Sequence, residues 1–283
     1  MAHVESMFRQ GSSAARRVAH DTSRSIWVRR LARLGFAARG ALHITVGALA
    51  LMAALGLGGE VTGQKGALAH LASQPFGGVL LGLVALGLAG YALWQFACAA
   101  LGTAEPDGHS PLKRAGHAVV GVLHAGLAVA AFHTLMGADE AGRHQEREWT
   151  ARLLAEPLGA IVVGAVGVVV IGVGLYQLYQ AATAKFREKF AVRQMSPREE
   201  HATTLAGRVG YAARGVVFGL MGAFLIKAAA ESDAREVRSL DGALLEIAQS
   251  DAGPFLLALV SAGFIAFGAF CLMMVRYRVL SRG

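Results

Sequence analysis

Arginine inside an apolar stretch is the residue whose type and position point most directly to chemistry. Arg39 and Arg214 occupy such places, each six residues beyond another arginine, Arg33 and Arg208. A guanidinium stays charged and offers five N–H donors. Within a bilayer it either binds an acidic group, lines a polar path, or reaches back to the headgroups. Both lie about two turns inside their stretches, a depth from which a long side chain can snorkel. Snorkelling is the simpler expectation, and an anion or lipid site is the functional one. Lys227 lies near the opposite end of its stretch and is expected to snorkel.

The histidines invite a second reading. His43 and His124 occupy equivalent positions on different apolar stretches, and His117 stands one heptad before His124. Histidines at one depth could ligate a haem iron for electron transfer. The third equivalent position is Phe218, and no second paired set completes a haem pattern. Hydrogen-bonded core histidines are the simpler account, and no cofactor is expected. The Asp and Glu residues are confined to loops and tails, so no buried carboxylate pair is available for acid–base work. His144, among Glu140, Glu146 and Glu148, reads as part of a solvated acidic loop. Cys98 and Cys271 form neither a disulfide framework nor a zinc site. No glycine-rich turn follows a strand, so a phosphate loop is not expected. The reading is non-enzymatic.

The elements that carry these residues follow from hydropathy. The chain of 283 residues is 54% hydrophobic and only 16% charged, with a mean hydropathy of +0.47. A soluble domain carries about a quarter charged residues. Six apolar stretches run over Leu34–Leu57, Phe76–Leu101, Ala115–Gly137, Leu158–Ala182, Val209–Ala230 and Pro254–Val275. Each can cross ~30 Å of hydrocarbon as a helix. Their length and their Ala, Leu and Gly content argue against strands. The spacing predicts an all-α integral membrane protein with six transmembrane helices.

The stretches repeat. The first, third and fifth begin Arg33-Leu-Gly35-Phe36-Ala-Ala-Arg39-Gly40, Arg114-Ala-Gly116-His117-Ala-Val-Val120-Gly121 and Arg208-Val-Gly210-Tyr211-Ala-Ala-Arg214-Gly215. The even spans begin near Pro75-Phe76-Gly77, Pro157-Leu158-Gly159 and Pro254-Phe255, which sets Trp94-Gln95 beside Tyr176-Gln177 and Met273-Met274. A short amphipathic piece precedes each proline, at Ala67–Ala72, Ala151–Ala155 and Ala243–Ala248. The chain therefore divides into a basic tail over 1–30, repeats over 31–102, 113–183 and 206–276, and a basic C-terminus over 277–283. Three tandem parallel two-helix repeats predict a pseudo-threefold bundle. The odd spans share a helical stripe of Phe36, Gly40, His43 and Gly47, then His117, Gly121, His124 and Ala128, then Tyr211, Gly215, Phe218 and Gly222. Small residues with rings one turn away suit close helix packing.

The motif Arg-x-Gly-aromatic-Ala-Ala-Arg-Gly at 33–40 and 208–215, repeated threefold, resembles a bacterial membrane family catalogued as domain of unknown function 1206. The resemblance covers nearly all of the chain after residue 30. It implies a membrane protein and carries no activity with it. The second copy departs at His117 and Val120, so the inner arginine is not required in every copy.

Charge sets the expected orientation. Of 27 Lys and Arg, 18 fall in the two tails and the even-numbered loops, six in the odd-numbered loops and three within spans. Cytoplasmic loops carry the excess, so both termini are expected in the cytoplasm of a bacterial inner membrane. A stripe of Val4, Phe8, Ala15, Val18, Ala19 and Ile26 suits a helix on the inner leaflet, with Trp27 at the headgroups. The net charge of +8 is then a topology signal, and a nucleic-acid partner is not expected. The spans hold few polar residues and no internal proline, unlike the broken helices of transporters. An accessory bundle binding lipid or another membrane subunit is favoured over a conduit for a small anionic solute. Cysteines engineered at Glu60 and Asp241 should react with an impermeant thiol reagent on intact cells, and cysteines at Pro106 and Met195 should not. Labelling from outside at either of the latter would break the six-span order.

Overall fold

The computed structural model describes residues 26–102, 110–137 and 145–279. The surface helix read in the N-terminal tail, the side chain of Trp27 and the loop around His144 lie outside the described residues. Among the described residues nine α-helices follow in order: α1 (Ile26–Ala54), α2 (Gln64–Ala72), α3 (Gly77–Leu101), α4 (Pro111–Leu135), α5 (Gln145–Leu154), α6 (Gly159–Thr183), α7 (Pro197–Glu231), α8 (Leu240–Ala248) and α9 (Gly253–Tyr277). Six of them, α1, α3, α4, α6, α7 and α9, are long and apolar enough to cross a membrane. A helix satisfies its own backbone, as lipid requires. The three amphipathic pieces are the short helices α2, α5 and α8. Helix α7 runs well beyond its apolar span toward the end of the bundle that carries the termini. Ser196 caps it: its hydroxyl accepts from the Glu199 N–H at 3.3 Å, and the Glu199 carboxylate accepts from the Ser196 N–H at 2.9 Å.

Three glycines turn the short helices into the even spans. The N–H groups of Gly77, Gly159 and Gly253 donate to carbonyls three residues back at 2.8, 2.9 and 2.8 Å. A Cβ there would stand 2.1, 1.6 and 1.9 Å from the carbonyl oxygens of Ala72, Leu153 and Ala248. These turns fix the register of the even spans and correct the alignment on proline. Pro75 and Pro157 sit inside the turn, whereas Pro254 follows it in the first turn of α9. Trp94-Gln95 therefore corresponds to Phe270-Cys271, three residues before Met273-Met274.

Each even span packs on the odd span of the next repeat: α3 on α4, α6 on α7, and α9 on α1. The approach is close. A Cβ on Gly40 would lie 3.0 Å from the Gly268 carbonyl, one on Gly215 2.9 Å from that of Gly174, and one on Gly121 2.8 Å from the Phe96 ring. Gly47 and Gly222 extend two of these contacts toward Ser261 and Gly167. Such spacing lets backbones meet in lipid, where no hydrophobic force drives helices together.

Packing within a repeat is unequal. Helices α1 and α3 pack on each other, as do α7 and α9, but no comparable packing joins α4 and α6. The spans thus follow an arc, α4–α3–α1–α9–α7–α6, that opens between the two helices of repeat two. The sequence supplies the reason. Repeat one seats Gly87 on Ala38 and Gly35 on Tyr91; repeat three seats Gly263 on Ala213 and Gly210 on Phe267, with added Cβ atoms 2.2–2.7 Å from their neighbours. In repeat two the equivalent positions are Val169 and Val119, and Val173 and Gly116. A Cβ on Gly116 meets nothing within 4 Å, and Val119, Val169 and Val173 are exposed. The apolar windows of α1, α3 and α9 are 50% buried, against 28% for α7, 22% for α6 and 11% for α4.

The core lies between α1, α3, α7 and α9, with Leu42, Val46, Leu81, Leu88, Val217 and Phe264 buried in it. An aromatic layer of Phe36, Tyr91, Phe186, Phe267 and Phe270 closes the bundle toward the terminal end. The segment after α6 folds under this layer. Its Phe190 pairs with Arg278 through the backbone, and Tyr277 donates to Glu199 at 2.7 Å. Replacing Gly77, Gly159 or Gly253 by alanine should each lower stability in detergent by about 1–3 kcal/mol, the usual cost of overpacking. Gly126→Ala, facing open space, should be neutral or stabilising. Thermal unfolding of the purified variants checks both.

Candidate functional site: an inward-facing arginine pair

The packing register decides where the inner arginines point. Ala38 packs on α3 and Gly40 on α9, so Arg39 between them faces the interior. Ala213 on α9 and Gly215 on α6 turn Arg214 inward in the same way. Each step along a helix turns about 100°, so the neighbours on either side leave the arginine one direction. The expected snorkelling is therefore corrected. Close contact on both flanks keeps these side chains in the bundle, away from the headgroups.

Both guanidinium groups converge on one ring. Arg214 stands 4.2 Å from the centre of Phe267 and 5.4 Å from that of Phe218. Arg39 stands 4.7 Å from Tyr91 and 5.8 Å from the same Phe267. Arg39 Nη1 donates to the Tyr91 hydroxyl at 2.6 Å, and Arg214 Nη1 donates to His43 Nε2 at 3.0 Å. Because a guanidinium only donates, His43 Nε2 accepts, which assigns the proton to Nδ1. Nδ1 then donates to the Arg39 carbonyl at 2.7 Å. Both nitrogens of His43 are thus hydrogen-bonded. His124 lies beside this centre, its ring 4.6 Å from Tyr91 and its Nδ1 bonded to the Val120 carbonyl at 2.8 Å. His117 instead pairs with the buried Gln95 at 2.9 Å.

The charge balance of this centre is one-sided. Nε of Arg39 and Nε of Arg214 are buried with no hydrogen-bond partner. The ion pairs among the described residues lie elsewhere, at Arg187–Glu200, Lys227–Glu236, Arg235–Asp233 and Arg238–Glu246. A cation over a ring gains ~0.5–2 kcal/mol. Removing an ion from water costs several kcal/mol even after relaxation, and two like charges around one ring add repulsion. The aromatic rings therefore offset only part of the cost, and an acidic group would supply the rest.

Three contributors escaped the sequence reading. Tyr91 and Phe267 are equivalent positions of repeats one and three once the glycine turns set the register, and Val173 is their counterpart. The arginine and its ring partner are thus missing together from repeat two, as Val120 and Val173. Arg278 looked like a tail charge. Its guanidinium lies 5.0 Å from Phe36 and 5.1 Å from Trp94, and its Nε is also buried and unpartnered. Nothing in its sequence context separates it from Arg276.

Lysine cannot stack a planar cation on Phe267 while reaching His43. Arg214→Lys should therefore lower thermal stability in detergent by about 1–2 kcal/mol. Snorkelling side chains would leave stability unchanged, so an unaltered melting curve would restore that reading.

The comparisons place this architecture among known sequences. The family described as Domain of Unknown Function (DUF1206) matches the chain three times, over residues 34–102, 115–184 and 209–278. A Bacillus subtilis (strain 168) protein named "Uncharacterized protein YxxB" is 33% identical over 250 residues, covering 87% of this chain and 90% of its own. No solved structure matches the chain. The three matches coincide with the three two-helix repeats and the relative spans nearly the whole length; the chain belongs to the DUF1206 family.

Proposed function

We propose that this protein is a non-enzymatic accessory bundle of the bacterial cytoplasmic membrane that binds an acidic group at Arg39 and Arg214, with both termini cytoplasmic. The observation that carries the reading is the convergence on Phe267 of two guanidinium groups, each with a buried and unpartnered Nε, with no carboxylate among their contacts to the described residues. Anion binding would satisfy the two orphaned Nε–H groups and cancel the repulsion between the arginines. His43, bonded from both sides, holds Arg214 in place. Basic residues at the terminal end, among them Lys185, Arg193 and Arg198, suit contact with anionic headgroups there. Another membrane subunit remains a compatible partner, through the exposed apolar faces of α4 and α6.

A carrier for a small anion is the second reading, favoured by the inward direction of the same arginines. It is weakened by the layer of packed rings between the pair and the terminal end. The test uses the purified full chain in uncharged detergent, titrated with inorganic phosphate or sulfate. Either anion should raise the melting temperature of the native chain, and the response should vanish in Arg39→Gln/Arg214→Gln. Equal responses in both proteins would remove the arginine pair as a site. Flux of phosphate through reconstituted vesicles, lost in the same variant, would select the carrier.

A further inference from the structure

We infer that the ligand of the arginine pair is an acidic amphiphile, such as an anionic phospholipid, whose head meets Arg39 and Arg214 and whose tail lies between α4 and α6. The inference rests on the anion-binding reading and adds the class of ligand and its route. The arc of helix contacts is open at one place, between the two spans of repeat two. That opening is apolar. Val119, Val169 and Val173, the counterparts of the residues that join the two spans in repeats one and three, are exposed at 59%, 64% and 42%, and Gly116 faces open space.

The opening coincides with the missing third couple. Repeats one and three each place an arginine over a ring, Arg39 with Tyr91 and Arg214 with Phe267. Repeat two places Val120 and Val173 there, so an apolar passage stands where a third charge and ring would close the centre. Arg39, Arg214 and His124 are only half-buried although they lie within their spans. The ends of the bundle are blocked. Toward the termini lie the buried rings of Phe36, Phe186 and Phe270, and toward the other end the core of Leu68, Leu81 and Leu244. A soluble anion reaches the pair only across one of these layers or through the apolar opening, whereas a lipid arrives sideways without leaving the apolar phase. Acyl chain against valine costs nothing in such surroundings, and the acidic head replaces the absent carboxylate.

The experiment uses the full chain in uncharged detergent with three probes: phosphatidylglycerol, phosphatidylcholine with the same acyl chains, and inorganic phosphate. Native mass spectrometry should show one phosphatidylglycerol retained per chain, preferred over phosphatidylcholine by at least about tenfold. Phosphatidylglycerol bearing a photoreactive group on its acyl chain should label α4 and α6 around Val119 and Val169. Excess unlabelled phosphatidylglycerol should compete the label away and phosphatidylcholine should not. Arg39→Gln/Arg214→Gln should lose the preference; should that variant fail to fold, the competition in the native chain decides alone. Label on α1 and α9 equal to that on α4 and α6 overturns the route. A response to phosphate without preference between the two lipids overturns the amphiphile and leaves the anion site standing. No response to phosphate and no lipid preference overturns both.

Discussion

Close approach of helix backbones at small residues is the constraint on which this structure depends. In lipid the association of helices rests on contact area and shape, because the surrounding chains are as apolar as the helices themselves. Gly40 against Gly268, Gly215 against Gly174, and Ala38 and Ala213 beneath Gly87 and Gly263 provide that contact. The same residues orient the functional side chains. Arg39 and Arg214 each stand between two buried small residues, and the packing of those neighbours leaves the guanidinium only the interior.

The interior that receives them is built for flat cations. Tyr91, Phe267 and Phe218 present ring faces and edges at 4.2–5.4 Å, and His43 bonds one arginine while its ring stacks near Phe264 and Phe267. Such an environment stabilises a guanidinium more than an ammonium, whose charge is compact and strongly hydrated. It still leaves two positive charges in a low-dielectric core. Proteins keep a costly arrangement of this kind at sites of function, where stability is traded for binding.

Threefold repetition and its local failure belong to the same argument. A two-helix unit buries little on its own, and contacts between each even span and the next odd span occur three times. Inside repeat two, valine replaces alanine at 119, glycine at 169, arginine at 120 and an aromatic residue at 173. Two of these changes prevent α4 and α6 from meeting, and the other two remove the charge and the ring that would stand between them. The departure is therefore coordinated: it opens the wall and makes the opening apolar.

The sequence by itself determined the span count, the three repeats, the three short connecting helices and the small-residue stripe on the odd spans. These are legible because lipid demands long apolar helices, and because equivalent contacts demand equivalent residues. It also singled out Arg39, Arg214 and His43 as the residues to watch. Only the tertiary structure decided their direction, since a residue two turns inside a span can reach either headgroup or interior until its neighbours pack. The even-span register was misread from the prolines, because Pro254 follows the glycine turn while Pro75 and Pro157 precede it. Tyr91 and Phe267 therefore went unpaired with the arginines, and Arg278 was indistinguishable from other tail charges. The opening between α4 and α6 could not be seen either: two valines read alone are ordinary membrane residues, and they matter only because the equivalent helices elsewhere meet through alanine and glycine.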